Sequence, residues 1–484
     1  MCIFTHYFSV GQVHSHRRLF SNSTTTTISF AWHSCFLIAL AGLIVFSAAQ
    51  ITSSTTCGEK CQTRVLAAAS FEAGQHAATD FSFYAIPSNF SKDLPPGTVL
   101  QVEDATDLSN YTVPSGLTMS RIIYTTVDLN GNILPASAYI LWPYAPLTYS
   151  KCQKQGEYPL VAWAQGTSGV LKGCAPSNYR SLQYHLMAPY LLALQGMAVV
   201  APDYAGLGFN ALPTGEHIGH PWLNGPAQAN DLANAVIAAQ AAFPRELPSK
   251  GPFVAVGHSQ GGGAAWSLAE LLVSKPIAGY KGTVAIAPTT RTIDLLEQAL
   301  VNSLQPWAGT LITGQPKIIE AVTALYPSYN YSGLTPTSAD RWFNVIQPLQ
   351  ACLPTDYFAF QGVPLDQLAQ AGWSKHDAVQ NYGKRSETGR KEFKGPLLVI
   401  AGKEDTIVPH FTIESAVDDT CSMTNNARSW EPLEMVTYAN MDHFPVIQAS
   451  ELKWLNWVKD RLTGKPLSQH GCVKNVMEGY RTET

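Results

Sequence analysis
Apolar residues in this chain fall into short continuous runs separated by longer amphipathic or Ala-rich stretches. Runs at 158–164, 197–201, 252–256, 282–287, 396–401 and 435–438 are too short for buried helices and hold few polar interruptions. That pattern predicts strands covered on both faces, which is the signature of a parallel sheet with helices on either side. The intervening segments 184–194, 230–242, 264–273 and 452–461 read as those helices, the first despite Pro189 and the last as the closing helix. Ahead of them, β-rich residues 121–128 and 136–142 flank Asn130-Gly131, a strong hairpin signal. An antiparallel pair is therefore expected to begin the sheet.

The alternation stops between about 290 and 390. Helical segments at 293–302 and 317–325 are interleaved there with Trp307, Tyr326, Tyr329, Trp342, Phe343, Tyr357, Phe358, Phe360 and Trp373. An insertion at this point of a parallel sheet lies over the carboxyl ends of the strands, and most of these aromatics are expected to form its own core. The predicted organisation is a leader at 1–49, a first part of the core at 50–290, a helical cap at 291–390 and a second part of the core at 391–484. Residues from the leader to about 117 are Ser/Thr/Pro-rich and are expected to wrap the core without forming a domain.

Candidate chemistry centres on Gly257-His258-Ser259-Gln260-Gly261, which fits G-x-S-x-G and sits between a predicted strand and a predicted helix. That context is the nucleophile elbow of an α/β-hydrolase fold: a sharp turn lifts the serine clear of the sheet, and glycines are needed where strand and helix approach. A serine hydroxyl needs a base and an acid to orient it, in the chain order serine, acid, histidine. Asp405, just past the strand at 396–401, is the expected acid, with Glu404 as its neighbour in competition. His443, just past the last strand, is the expected base. His217 and His220 precede the serine, His410 shares a loop with Asp405, Asp442 adjoins the base, and His258 is expected to pack under the elbow helix. Two backbone amides must hold the oxyanion: one from Gln260, the other from Thr167 or Ser168 in the Gly-rich loop after the first parallel strand.

Three features of this constellation and its surroundings resemble one known family. The loop Gln165-Gly166-Thr167-Ser168-Gly169 with Gly173-Cys174 after it, the insertion containing Ala351-Cys352-Leu353-Pro354, and the elbow together look like the secretory lipases of fungi, the lipase A type. The resemblance spans from about Leu94 to the last helix. It implies a helical cap over an α/β-hydrolase core, a triad of Ser259, Asp405 and His443, fatty-acid esters as substrates, and a disulfide from Cys174 to Cys352. The loop departs from that type in offering Thr167 and Ser168 where an acidic residue is usual.

Composition narrows the setting. Hydrophobic residues make up 46% and charged residues 14% of 484, so a large core under a sparsely charged surface is expected. A formal net charge of -4 gives no footprint for nucleic acid. His16-Arg17-Arg18, the apolar run 35–46 and Ser47-Ala48-Ala49 are the parts of a signal peptide cleaved after Ala49; a membrane anchor beginning near Ile28 is the alternative. Beyond Cys2 and Cys35 in that leader, seven cysteines remain, an odd number that predicts disulfides and one leftover thiol. Cys57 and Cys61 suit a local bridge better than a zinc site. Sequons at Asn89, Asn110 and Asn330 fit a glycosylated surface. The expected protein is a secreted serine hydrolase of carboxylic esters needing no metal or organic cofactor, with a small-molecule or lipid ester substrate and transient contact with a lipid interface through its cap. Peptide cleavage, acyl transfer, or binding by a catalytically dead hydrolase fold are the alternatives.

Overall fold
The structure, a computed structural model, describes residues 53–78, 80–424 and 431–479, so the expected leader lies outside the described residues. A sheet of ten strands runs in the order β1-β2-β3-β5-β4-β6-β7-β8-β9-β10. Strands β1 (Val99–Glu103), β2 (Leu117–Val127) and β3 (Ile133–Pro143) are antiparallel, and β3 pairs antiparallel with β5 (Ala198–Pro202). From there β4 (Leu160–Ala164), β6 (Phe253–His258), β7 (Tyr280–Ile286), β8 (Leu397–Gly402), β9 (Leu433–Tyr438) and β10 (Cys472–Met477) are all parallel. Every residue of β4, β5, β6 and β8 is buried, which is why these segments read as unbroken apolar runs.

The helices Gly225–Ala242 and Gln260–Ser274 cover one face of the sheet, while Pro189–Leu194 and Glu451–Leu462 cover the other. Between β7 and β8 the chain leaves the sheet for a run of helices that includes Thr292–Val301, Gln315–Leu325, Leu353–Phe360 and Asp377–Ser386. Tyr329, Trp342, Phe360 and Trp373 are buried in a cluster that these helices share with the N-terminal segment and the core, through residues such as Val65, Tyr84 and Tyr204, while Phe343 and Tyr357 are exposed. Among the described residues no helix is long and apolar enough to cross a membrane.

Three local expectations are corrected, and one region gains elements that the sequence reading did not name. Segment 184–194 is not one helix: a 3-10 turn at His185–Met187 ends at Ala188, and Pro189 opens the helix Pro189–Leu194, where its missing N–H costs nothing. The hairpin loop is five residues long, 128–132, because the Asp128 carboxylate accepts from the amides of Asn130 and Asn132, each at 2.8 Å, and closes a wider turn than Asn-Gly alone would set. Glu451–Leu462 does not end the fold; β10 follows and pairs with β9. Finally, the region before 117 contains an Ala-rich helix, Glu59–Gln75, and the edge strand β1. Glu72 of that helix accepts from the amides of Cys352 at 3.0 Å and Thr355 at 2.8 Å, so it caps the helix Leu353–Phe360 and ties the N-terminal segment to the insertion.

Three disulfides join Cys57 to Cys61, Cys174 to Cys352 and Cys421 to Cys472, and Cys152 is an exposed free thiol. The pairing implied by the resemblance, the local bridge and the leftover thiol are all present.

Candidate active site
The turn after β6 puts Ser259 at φ 59° and ψ −123°, a backbone conformation that costs a residue with a side chain of order 1–3 kcal/mol. Glycines make room for it. A Cβ at Gly257 would lie 2.0 Å from the Gly261 carbonyl oxygen, and one at Gly261 would lie 1.9 Å from the carbonyl oxygen of Ala164 in β4. Strand, turn and helix are thus packed at a separation that only side-chain-free residues allow.

His443 follows β9, and Asp405 follows β8. The Nδ1–H of His443 donates to Asp405 Oδ2 at 2.7 Å, with both side chains buried. The other oxygen, Oδ1, accepts from the amides of Ile407 at 2.9 Å and Val408 at 2.8 Å, so the carboxylate cannot turn away. With Nδ1 carrying the proton, Nε2 of the neutral ring is left as an acceptor. Ser259 and His443 line one cavity of about 130 Å³, whose walls come from the core (Thr167, Tyr184, Trp222, Val408) and from the insertion (Leu295, Leu311, Lys317, Leu353). Among the described residues the Ser259 hydroxyl makes no hydrogen bond.

Rival side chains are occupied elsewhere. Asp442 accepts from the amides of His443 at 2.7 Å and Thr406 at 2.8 Å and makes no bond to an imidazole. Glu404 is exposed. His410 meets Thr437 at 2.9 Å, and His217 pairs with Glu320 at 3.2 Å, which raises the His217 pKa; neither histidine lines the cavity.

The loop after β4 meets the elbow directly. A Cβ on Gly166 would sit 3.3 Å from Ser259 Cβ and 2.1 Å from the Tyr184 hydroxyl oxygen. Of the two expected donors, Thr167 lines the cavity and Ser168 does not. Ser168 is buried, and its carbonyl accepts from the Leu353 amide at 3.0 Å, linking the loop to the insertion beside the Cys174–Cys352 bridge. Among the described residues, the amides of Thr167 and Gln260 have no hydrogen-bond partner.

Several residues of the site were not legible in the sequence. The Tyr184 hydroxyl bonds His258 Nδ1 at 2.7 Å, and His258 Nε2–H donates to the His443 carbonyl at 3.0 Å. Burial holds the His258 pKa well below its usual value, so the ring stays neutral and props the backbone of His443. Trp222 and His220, far from any motif, enter through side-chain bonds to Thr167 and Gln260 at 2.9 Å and 3.0 Å.

A sequence model described as the Alpha/beta hydrolase family matches residues 171–452, more than half of the chain. The chain belongs to the alpha/beta hydrolase family. Among solved structures, this alpha/beta hydrolase is similar to Candida antarctica lipase A, at 16% identity and a TM-score of 0.63, with 81% of this chain and 88% of that one covered. It is also similar to the rice cell wall degrading esterase LipA from Xanthomonas oryzae, at 19% identity and a TM-score of 0.56, covering 77% and 100% respectively. A Mycobacterium tuberculosis relative described as a "probable inactive lipase" is 22% identical over 81% of this hydrolase and 84% of its own length. At these identities the structural matches establish the fold, mostly parallel with an antiparallel beginning, in agreement with the resemblance to lipase A.

Proposed function
We propose that the protein is a secreted serine hydrolase of carboxylic esters, with lipid or other acyl esters as substrates. The observation that carries this reading is the bond between His443 and Asp405 at the wall of the cavity that holds Ser259 on its strained turn. His443 Nε2 takes the proton of Ser259 Oγ as the oxygen attacks the ester carbonyl, and the amides of Thr167 and Gln260 bind the resulting oxyanion. Collapse expels the alcohol with the proton from His443 and leaves an acyl group on Ser259. A water then attacks that acyl carbon, giving its proton to the same imidazole, and the acid leaves. The Ser259–His443 hydrogen bond forms with substrate in place, since such bonds are often long in empty sites.

The cavity that holds Ser259 takes Leu223, Leu295, Leu311, Leu353, Ile407 and Val408 into its wall, an aliphatic share that suits an acyl chain. Exposed Val301 and Leu304, at the end of a helix of the 291–390 cap, suit brief contact with a lipid surface. Three disulfides favour an oxidising compartment, in keeping with a chain that enters the secretory route.

The relative described as inactive makes a binding role the second reading. One experiment separates the two: hydrolysis of p-nitrophenyl esters of graded chain length by wild type and Ser259→Ala, with a fluorophosphonate label. Turnover and labelling that both disappear in Ser259→Ala support the hydrolase. No turnover and no labelling in wild type supports the binding protein, and labelling without hydrolysis points to acyl transfer.

A further inference from the structure
We infer that His220, too early in the chain to be the base of this fold, is a positioning residue that sets the geometry of the oxyanion hole. The inference rests on the hydrolase reading above. Four side chains form a single directed chain of hydrogen bonds. His220 Nδ1 faces the carbonyl oxygen of Ala205 at 2.9 Å, so that nitrogen must carry the proton, and Nε2 of the neutral ring can only accept. Gln260 Nε2 lies 3.0 Å from it and donates. The amide of Gln260 is thereby oriented, and its Oε1 is turned toward Thr167, whose hydroxyl donates to it at 2.9 Å. The same hydroxyl oxygen accepts from Trp222 Nε1–H at 2.9 Å.

Two consequences follow for the site. Thr167 and Gln260, the residues whose unpartnered amides face the oxyanion position in the proposed mechanism, are bonded to each other through their side chains, so the two loops that supply those amides cannot drift apart independently. In addition, the only proton on the Thr167 hydroxyl is already used, so the oxyanion donor is the Thr167 amide and not its side chain. His220 is fully buried, stacks on Tyr204 at 5.9 Å between ring centroids, and is absent from the cavity wall, so it acts on the reaction only through Gln260. Were its Nε2 a donor, the Gln260 amide would rotate and present NH₂ to Thr167, reversing the Gln260–Thr167 bond and releasing the Thr167 proton, while the bond from the donor-only Trp222 indole would keep its direction.

The test is kinetic, on p-nitrophenyl butyrate, with thermal midpoints as a check that each variant is folded. His220→Phe keeps a ring against Tyr204 and removes both nitrogens; Thr167→Val removes the hydroxyl, and Thr167→Ser keeps it. The expected result is a fall in kcat of roughly 10- to 100-fold in His220→Phe and in Thr167→Val, less than the ~100- to 1,000-fold that follows loss of a whole oxyanion donor. KM should stay within about twofold, because the hole is used in the transition state and not in the ground state. Thr167→Ser, which keeps the hydroxyl, should recover most of the kcat that Thr167→Val loses, and the double variant of His220→Phe with Thr167→Val should be no slower than the slower single one. Should His220→Phe fail to fold, Gln260→Met, which keeps the backbone amide, replaces it with the same expected values. A folded His220→Phe or Gln260→Met with wild-type kcat, or losses that multiply in the double variant, would overturn the inference alone. Wild type that neither hydrolyses esters nor takes a fluorophosphonate would instead overturn the hydrolase reading beneath it.

Discussion

His443 Nδ1 donates to Asp405 Oδ2 at 2.7 Å, and the opposite oxygen of Asp405 is held by two backbone amides. This arrangement fixes which imidazole nitrogen bears the proton. Asp405→Asn would put an NH₂ where Nδ1–H now donates and drive the ring to the other tautomer, so kcat is expected to fall by about 10⁴, the size seen for this change in serine triads. Asp442→Asn and Glu404→Gln, which touch no imidazole, should stay within about tenfold of wild type. Steady-state hydrolysis of a p-nitrophenyl ester by the three variants checks the assignment.

Close packing of the elbow against β4 gives a stability prediction. Gly261→Ala places a methyl 1.9 Å from the Ala164 carbonyl oxygen, a backbone atom inside the sheet, and should cost about 3 kcal/mol or more. Gly309→Ala, within the helix Ala308–Thr313 and with nothing inside 4 Å of its Cβ, should instead be neutral or add up to about 1 kcal/mol. Urea denaturation of the two variants measures the contrast.

The Cys174–Cys352 bridge joins the segment that follows the Gly166–Gly169 loop to the insertion across a sequence separation of 178. A loop of that length restricts the unfolded chain by about 5 kcal/mol in the chain-entropy treatment. Replacing both cysteines by serine should lower the thermal midpoint, and it should lower kcat as well, since the Ser168–Leu353 contact loses its brace. A fall in midpoint with kcat unchanged would show that the bridge serves stability only.

Much of the sheet was legible because β4, β5, β6 and β8 are buried on both faces and so are apolar but for His258 at the end of β6. The elbow was legible for a related reason: Gly257 and Gly261 answer to backbone contacts that no other residue satisfies. What stayed hidden depends on partners distant in sequence. Nothing around Glu72 announces that it caps a helix beginning at Leu353, and an Ala-rich helix at Glu59–Gln75 was masked by the Ser/Thr/Pro-rich stretches beside it. Likewise, Trp222, His220 and Tyr184 owe their place in the site to loop geometry and not to spacing from a motif.

Buried Asp231 gives a pH prediction. Burial pushes its carboxyl up to about 7, against ~3.9 in an unfolded chain, despite hydrogen bonds from the Ala205 amide and the Thr126 hydroxyl. The folded state therefore holds a proton that the unfolded chain has released, and the stability this group contributes is full below about pH 4 and lost as pH rises through 7. Asp231→Asn carries no such dependence, so its stability relative to wild type should improve by up to about 1.4 kcal/mol per pH unit between roughly 4 and 7. Urea denaturation of both proteins at a series of pH values gives the difference, which should not vary with pH if the carboxyl titrates normally.

The central claim is that Ser259 Oγ carries the acyl group between two half-reactions. Rapid acid quench of the protein mixed with p-nitrophenyl acetate, followed by digestion and peptide mass mapping, tests it directly. The account predicts an acetylated peptide with the modification on Ser259, formed as p-nitrophenol is released and missing in Ser259→Ala. Ester turnover with Ser259 unmodified, or turnover that persists in Ser259→Ala, would contradict it.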